Sequence, residues 1–274
     1  MQDLDRLRAL GDPDRAARAS ARHKRGRETL GVPPAQIEAL AAEWRAALDI
    51  EARVSLARTF WDSDIHEARL TAARLLVQAR MRPDDGAWDA ILDWAPQIDG
   101  QEIGDGLMSA AARRLVADPS RLDRIAPWAG SRNPWLRRGL LVATGPWAKM
   151  NNPKPQDLEI RETVLAWALT LSTDRNGAVR QAAQAWIRDL AKHDPDRAAL
   201  WQQAHEDRVA AQAEARAAAE DEAEMEPEDL DDADATPASE GHPDTGSEAT
   251  ASPDPDTAPD TDPEAPDLTP DQER

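Results

Sequence analysis

The sequence predicts an all-α fold, an α-solenoid of HEAT-like helical repeats followed by a disordered acidic C-terminal tail. Three observations lead to this prediction. No segment alternates apolar and polar residues as a strand would, and β-favouring residues are scarce, with no tyrosine and one phenylalanine, Phe60. Apolar residues recur at helical spacing instead. The resulting helices come in pairs that recur about every 35–45 residues, which is typical of helical repeats.

The predicted helices of the first half follow from this spacing. Residues 1–27 alternate charged residues with alanine and leucine, which predicts one or two short helices broken at Gly11-Asp12-Pro13. Clear apolar stripes begin after a turn at residues 31–34. These stripes run from Ile37 to Leu48, from Val54 to Trp61, from Ile65 to Ala79 and from Trp88 to Leu92. We expect Asp64 to cap the third of them.

The second half predicts further helices with recognisable start signals. Asp99 and Glu102 form a predicted capping box that opens a helix to about Ala117, and a brief helix follows. Asn133 is a favourable cap for the next helix, and Pro134 suits its first position. The later stripes run from Ile160 to Leu171 and from Val179 to Leu190, before a last helix from Asp196 past Trp201. About ten short helices would also fit an up-down bundle, but this number favours a superhelix.

Charge divides the chain into two predicted domains. Residues 221–274 contain 20 acidic residues and a single basic one, so this segment has a net charge of −19. Residues 1–220 contain 32 acidic and 32 basic residues and are neutral overall. The acidic segment lacks aromatic residues and cannot bury enough apolar surface to offset its chain entropy. We therefore predict a HEAT-like repeat domain over 1–220 and a disordered tail over 221–274.

Two stretches of the neutral domain are basic. Residues 15–27 have six positive charges and no acid, and residues 105–138 have seven basic residues against three acidic ones. Two such zones favour a polyanionic partner, although a solvated helix face is the commoner explanation of either zone alone. The tail has a reach of about 40 Å, enough to return to a basic groove on its own domain. The alternative is a tail that only solubilises the protein.

The composition excludes or disfavours several classes of function. The chain has no cysteine, which excludes disulfides and thiolate catalysis and suits a reducing cytoplasm. Its five histidines show no metal-ligand spacing, and no glycine-rich phosphate loop appears. No apolar run approaches about 18 residues, and the first residues are too charged for a signal peptide. We expect no cofactor or metal, no membrane association, and a cytoplasmic monomer.

The stretch from Trp128 to Lys149 contains the most informative arginine. On helical spacing Trp135, Arg138 and Val142 share one largely apolar stripe. An arginine in such a position needs a carboxylate or phosphate partner, because an unpaired buried charge is costly. The alternative is an arginine at the edge of the core whose head group extends to water.

Several motifs resemble those of the AlkD-like family of DNA alkylation repair proteins, which are HEAT-like-repeat glycosylases. The resemblance covers most of residues 20–200 and depends on the order and spacing of the motifs together. The motifs are His23-Lys24 with Leu30-Gly31-Val32, Phe60-Trp61-Asp62-Ser63 with Ile65-His66-Glu67-Ala68-Arg69, Ile98-Asp99 with Asp105, Trp128 to Arg138, and Val179 to Pro195.

The resemblance implies an enzyme that removes cationic N3- and N7-alkylated purines from duplex DNA on a concave basic surface. The catalytic carboxylate of the family matches Asp105, and its phosphate-holding arginine matches Arg138. The two aromatic positions of the family fall on Gln101 and Ala185, so this sequence departs from the family at both. Trp186 lies next to the second position, but it belongs to an apolar stripe, so we interpret it as a packing residue.

The predicted site therefore combines a catalytic Asp105 with residues that bind DNA. The DNA-binding residues are predicted to be Arg138, Arg137, Lys24, Arg25, Gln101 and Trp135. Asp105 lies off the apolar stripe of its helix, where an aspartate is usually only solvated, and this remains the alternative for it. The missing aromatic residues favour a second hypothesis, in which the protein is a non-catalytic HEAT-like module that binds DNA or a protein partner.

Overall fold

A computed structural model describes residues 2–23 and 26–224, which belong to one compact unit. This part of the chain is helical and contains no strand. The α-helices are α1 (Gln2–Arg8), α2 (Pro13–His23), α3 (Pro34–Ala47), α4 (Ile50–Asp62), α5 (His66–Leu76), α6 (Asp85–Trp94), α7 (Gln101–Ala117), α8 (Leu122–Ile125), α9 (Pro134–Ala143), α10 (Gly145–Ala148), α11 (Pro155–Leu171), α12 (Gly177–Leu190) and α13 (Pro195–Glu224). Short 3₁₀ turns lie at Ala95–Gln97, Pro119–Arg121 and Ala126–Gly130. The predicted all-α fold is confirmed.

The helices pack as two layers because the chain alternates between them. Helices α3, α5, α7, α9 and α12 lie side by side in that order, each against the next, and form the inner layer. Helices α4, α6, α11 and α13 pack against this row and form the outer layer, with α4 on α5, α6 on α7, and α11 and α13 on α12. Such a stack of helix pairs is the expected architecture of an α-solenoid.

Hydrogen bonds between neighbouring repeats show the predicted period directly. The indole Nε1 of Trp61 donates to Gln97 Oε1 at 2.9 Å, and these residues are 36 positions apart. The indole Nε1 of Trp201 donates to the Leu165 carbonyl at 3.1 Å, again across 36 positions. Both separations lie within the predicted repeat length.

Tryptophans supply much of the packing between helices, as the apolar stripes predict. Trp61 and Trp88 are buried, and Trp61 stacks on Trp94 with ring centroids 4.6 Å apart. Trp128 and Trp167 are half-buried against the same core. Each indole buries a large apolar area, so these rings make a major contribution to the core.

Two predicted helix starts are wrong, and charge explains both. The cap of α5 is Ile65, while Asp64 has a left-handed φ of 53° and binds Arg27 and Arg69 at 2.7 and 2.9 Å. The capping box predicted at Asp99 does not form, because α7 begins after Gly100 without a side-chain cap. The Asp99 carboxylate instead accepts a hydrogen bond from Arg27 at 3.1 Å.

The start of α9 is confirmed in detail. Asn133 is its N-cap, and the side-chain oxygen accepts the Trp135 backbone N–H at 2.9 Å. Pro134 occupies the first position, as predicted. A Cβ on Gly139 would lie 3.1 Å from Met108, so this glycine allows α7 and α9 to approach closely. The close approach brings the second turns of the two helices together.

Some predictions fall outside the described residues. Two of the predicted DNA-binding residues, Lys24 and Arg25, lie outside them. The predicted disordered tail lies outside them as well, except for residues 221–224, which form the end of α13. Among the helices that the structure describes, none has the length and apolar character needed to cross a membrane.

Candidate functional site

Two predicted site residues meet where α7 and α9 lie side by side. Asp105 is in the second turn of α7, and Arg138 is in the second turn of α9. Arg138 Nε donates to Asp105 Oδ1 at 2.9 Å, and Arg138 Nη2 donates to Asp105 Oδ2 at 2.7 Å. This two-pronged geometry matches a planar guanidinium to a carboxylate and is the stronger form of ion pair.

The pair shows which partner Arg138 has on the largely apolar stripe of α9. Arg138 is buried, and its partner is a carboxylate of the neighbouring repeat rather than water. Its third nitrogen, Nη1, donates to the Ala178 carbonyl at the start of α12 at 2.8 Å. The Asp105 side chain remains 36% exposed. Arg138 thus joins three inner helices, and it holds a carboxylate that solvent can still reach.

Cavities lie on both sides of the pair. One, of about 600 Å³, is lined by Asp105 and Gln101 together with residues of α2, α3 and α5. The other, of about 350 Å³, is lined by Arg138, Gln101, Gln181 and Ala185. Gln101 Nε2 lies 3.4 Å from Asp105 Oδ2. The carboxylate, guanidinium and amide therefore share a broad open cleft.

Trp135 lies one helical turn before Arg138, just as Gln101 lies one turn before Asp105. The indole is half-buried against the core. It lines a third cavity, of about 210 Å³, with Gln101. The indole and the Gln101 amide therefore face one cavity beside the ion pair.

A match to a known family decides what kind of protein carries this cleft. The family model for "DNA alkylation repair enzyme" matches residues 4–221, from within α1 into the last turn of α13. The chain belongs to this family. The resemblance that the sequence motifs suggested is thereby confirmed, and membership supports a role in DNA repair.

Two solved structures are similar to this member of the DNA alkylation repair family. One is the "Predicted DNA alkylation repair enzyme from Enterococcus faecalis", with 17% identity and a TM-score of 0.59, covering 71% of this chain and 89% of that one. The other is smu.31 from Streptococcus mutans UA159, with 18% identity and a TM-score of 0.49, covering 70% and 95%. No curated protein matches the chain significantly. At such low identity the first likeness bears on the fold alone.

Arg137, predicted to bind DNA in this family member, is engaged elsewhere. Its Nε and Nη2 donate to the two oxygens of Asp174 at 2.6 and 2.9 Å, and Nη1 donates to the Ser131 carbonyl at 2.6 Å. Burial opposes ionisation of Asp174, but hydrogen bonds from Arg137 and the Asn176 backbone prevail and lower the pKa of its carboxyl. This geometry favours a structural role for Arg137, in which it holds the turn before α12.

Ala185, the second position at which the resemblance implies an aromatic ring, lies in the cleft. Ala185 lines the cavity beside Arg138 and contributes only a methyl group. Trp186 is 3% exposed, and its indole Nε1 donates to the Thr144 carbonyl at 3.3 Å. The interpretation of Trp186 as a packing residue is confirmed, so neither Gln101 nor Ala185 places an aromatic ring beside Asp105.

The basic 15–27 stretch, which the sequence analysis expects to hold phosphates together with Arg138, lies beside the cleft as far as the structure describes it. Arg15, Arg18 and Arg22 of α2 line a cavity of about 270 Å³ next to the cleft. Their spacing of three and four residues was available in the basic 15–27 stretch and places them on one helix face. The predicted Lys24 and Arg25 follow them in the sequence but lie outside the described residues.

A second carboxylate–arginine cluster lies at the opposite end of α7. Asp84 accepts hydrogen bonds from Arg114 Nη1 at 2.9 Å and from Arg121 Nη1 and Nη2 at 2.9 and 2.8 Å. The Arg114 side chain is fully buried, and Arg121 lies over the Trp88 ring at 5.5 Å. Hydrogen bonds from Arg121 lower the pKa of Asp84, against the effect of burial. This cluster binds α6 and the 3₁₀ turn after α7 to α7 itself.

Proposed function

We propose that this DNA alkylation repair family member excises cationic N3- and N7-alkylated purines from duplex DNA, with Asp105 as the catalytic carboxylate. One observation carries the proposal: both oxygens of the Asp105 carboxylate accept hydrogen bonds from a buried arginine, and the carboxylate is still exposed to a cleft. A structural ion pair needs no such opening, whereas a group that acts on a ligand does.

Excision of a cationic base requires little of the protein beyond a well-placed negative charge. An alkylated purine with a positive charge leaves as a neutral base when the C1′–N bond breaks and its electron pair goes to the base. The sugar then has oxocarbenium character, which a nearby carboxylate stabilises. Water oriented by the same carboxylate adds to C1′ and loses its proton to the carboxylate or to solvent. Asp105 supplies both functions from one position.

Arg138 acts in this proposal mainly as a positioning residue. Its Nε and Nη2 fix the plane of the Asp105 carboxylate, and its bond to the Ala178 carbonyl fixes the guanidinium. Holding a reacting group in one orientation lowers the entropic part of the barrier. The guanidinium keeps further N–H groups that can reach a phosphate, which agrees with the DNA-binding role expected of this residue.

Gln101 and Trp135 are proposed to contact the bases near the lesion. The amide can donate and accept hydrogen bonds, and the half-buried indole offers a ring face or edge to a base. Both lie within one helical turn of the ion pair, on the same two helices. Together with phosphate contacts they would place the damaged nucleotide against Asp105.

A second candidate function is a non-catalytic module that binds DNA or a protein partner. It is favoured by the absence of an aromatic ring at Gln101 and Ala185, where the resemblance implies rings that favour a cationic base. It is also favoured by the engagement of both Asp105 oxygens with Arg138. A carboxylate used only to hold Arg138 in place would show the same bonds.

The deciding experiment measures release of N7-methylguanine from a duplex oligonucleotide by the full chain. The proposal predicts release by the parent protein and none by Asp105→Asn, with DNA binding that is unchanged or tighter because a negative charge near phosphates is removed. Asp123→Asn, on the exposed surface of α8, is the matched control and should release the base like the parent. DNA binding without release by the parent would support the non-catalytic module instead.

A further inference from the structure

Helix α2 presents a row of arginines beside the cleft. Arg15, Arg18 and Arg22 follow at intervals of three and four residues, so their side chains emerge from one face. All three are exposed, and none forms an ion pair with another residue that the structure describes. In contrast, Arg27, only five positions further on, binds Asp64 and Asp99. The row is therefore a set of cations whose hydrogen-bonding capacity is available to a ligand.

The acidic residues of the same cavity have partners of their own. Glu67 is buried, and its two oxygens accept the backbone N–H groups of Leu30 and Gly31 at 2.8 and 2.7 Å. Glu102 lies 3.4 Å from His66 Nε2. The Glu67 carboxylate thus serves to hold the loop between α2 and α3.

The same loop fixes α2 in place. The Asp12 backbone N–H donates to the Leu30 carbonyl at 2.9 Å, at the start of the helix. Gly31 has a φ of 77°, and a Cβ there would lie 2.2 Å from the Asp12 carbonyl oxygen. Only glycine fits this close approach. The buried Glu67 and Gly31 therefore set where the arginine row stands relative to α5 and α7.

We propose that Arg15, Arg18 and Arg22 form a binding row for successive phosphates of one DNA strand that flanks Asp105. The inference rests on the DNA-binding part of the proposed function and not on catalysis. Arg15 and Arg22 are about 10 Å apart along the helix axis, and three phosphates of one strand span about 7 Å along the duplex axis, a difference that long arginine side chains can accommodate. Guanidinium groups suit phosphates because their N–H forks match the phosphate oxygens.

Arg22 links this row to the predicted catalytic residue. It lines the cavity that contains Arg15 and Arg18, the larger cavity that contains Asp105, and the third cavity that contains Trp135. A strand that follows the row therefore passes from α2 directly into the cleft between α7 and α9. A single small anion would use converging donors instead, so a linear row favours an extended polyanion.

The test is the salt dependence of binding to an unmodified duplex, measured with the full chain. Each phosphate contact contributes about 0.9 to the slope of log K against log salt concentration. The double variant Arg15→Gln/Arg18→Gln should therefore lower the magnitude of the slope by about 2. Arg15→Lys/Arg18→Lys keeps both charges and should retain most of the slope. Glutamine and lysine are as favourable to helices as arginine, so α2 should persist in both variants.

A matched control separates the site from net charge. Arg58→Gln/Arg124→Gln removes two arginines of α4 and α8 that line none of the three cavities around Arg22, and it should leave the slope at the parent value. An equal loss of slope in the row variant and in this control would overturn the site, because only overall charge would then matter. An unchanged slope in the row variant would also overturn it, and would leave an acidic polypeptide as the ligand to consider.

The outcome is distinguishable from that of the proposed excision. Base release by a parent protein whose slope does not respond to the row variant would reject the row and leave the catalytic proposal standing. A slope that falls in the row variant, with no base release by the parent, would reject excision and leave the phosphate row standing. The two readouts use different substrates and different residues.

Discussion

Helix α7 is bonded to a carboxylate–arginine arrangement at each end, and the two arrangements differ mainly in exposure. Near its start, Asp105 is paired with Arg138 from α9, and the aspartate side chain is 36% exposed. Near its end, Arg114 is paired with Asp84, and the exposed fractions of these side chains are 0% and 14%. Both arrangements use short charge-assisted hydrogen bonds. Their chemistry is the same, so their surroundings must account for any difference in role.

The comparison teaches that burial separates a structural pair from a candidate functional one. Asp84 is enclosed by two arginines and lies in a cluster that joins α6, α7 and the following turn. Removing one partner of such a cluster leaves an uncompensated buried charge, which is strongly destabilising. The Asp105 carboxylate is paired at the rim of a cleft, so pairing costs it little desolvation. It also remains within reach of a ligand. The first should matter for stability and the second for function.

The largest expected effect on stability is at the enclosed cluster. Asp84→Ala should lower the free energy of unfolding by about 3–5 kcal/mol, because Arg114 loses its carboxylate partner in the interior. Urea unfolding followed by circular dichroism measures this change. The control is Asp93→Ala, which removes the surface pair with Arg58 and should cost less than about 1 kcal/mol. Equal effects at Asp84 and Asp93 would contradict the distinction based on burial.

A smaller effect, on activity rather than stability, is expected at the open pair. Arg138→Lys keeps the positive charge but loses the fork that fixes the Asp105 carboxylate, so base release should fall roughly 10- to 100-fold. Single-turnover release of N7-methylguanine measures the rate. Arg58→Lys on the outer layer is the control and should leave the rate unchanged. A rate for Arg138→Lys equal to the parent rate would show that orientation by the fork is not needed.

The decrease in the free energy of unfolding at acidic pH should depend on the cluster around Asp84. The pKa of Asp84 is lower in the folded state, so the folded protein binds fewer protons there than the unfolded chain does. Its stabilisation is present above the unfolded pKa of about 4 and is lost as the pH falls through the folded value. Urea unfolding between about pH 6 and pH 3 should therefore show a shallower decline for Asp84→Asn than for the parent. Parallel profiles would refute this linkage.

The smallest effect is expected from the acidic tail. If residues 221–274 compete with DNA for basic residues, deleting them should tighten DNA binding several-fold at low salt, because tethering makes the competition intramolecular. The gain should fade as added salt screens the charges. A tail of equal length with its acidic residues replaced by glutamine and asparagine is the control and should behave like the deletion. Unchanged affinity at low salt would leave only a solubilising role for the tail.

The sequence predicted the helices and the repeat better than it predicted the partners of individual side chains. Asn133 and Pro134 start α9 as expected, because capping is a local interaction. Arg137 and Arg138 are adjacent and look alike in the sequence, yet one binds Asp174 and the other binds Asp105. Which partner each arginine meets depends on how neighbouring repeats pack. No local pattern contains that information.

The same reason explains what was missed at Asp64 and in α2. Asp64 stands where a cap is favourable, but its carboxylate binds Arg27, which is distant in the sequence, and Arg69 of α5 itself. The sequence predicts that the basic 15–27 stretch holds phosphates, but only the fold shows that Arg15, Arg18 and Arg22 line cavities beside Asp105. Helical spacing identifies a face, whereas the packing of repeats decides what that face meets.

The central claim is that Asp105 is a functional carboxylate and Asp84 a structural one. Its most direct test is the release of N7-methylguanine by the parent, Asp105→Asn and Asp84→Asn at a temperature where circular dichroism shows all three folded. The account predicts release by the parent and by Asp84→Asn, and none by Asp105→Asn. Release by Asp105→Asn at the parent rate would contradict it.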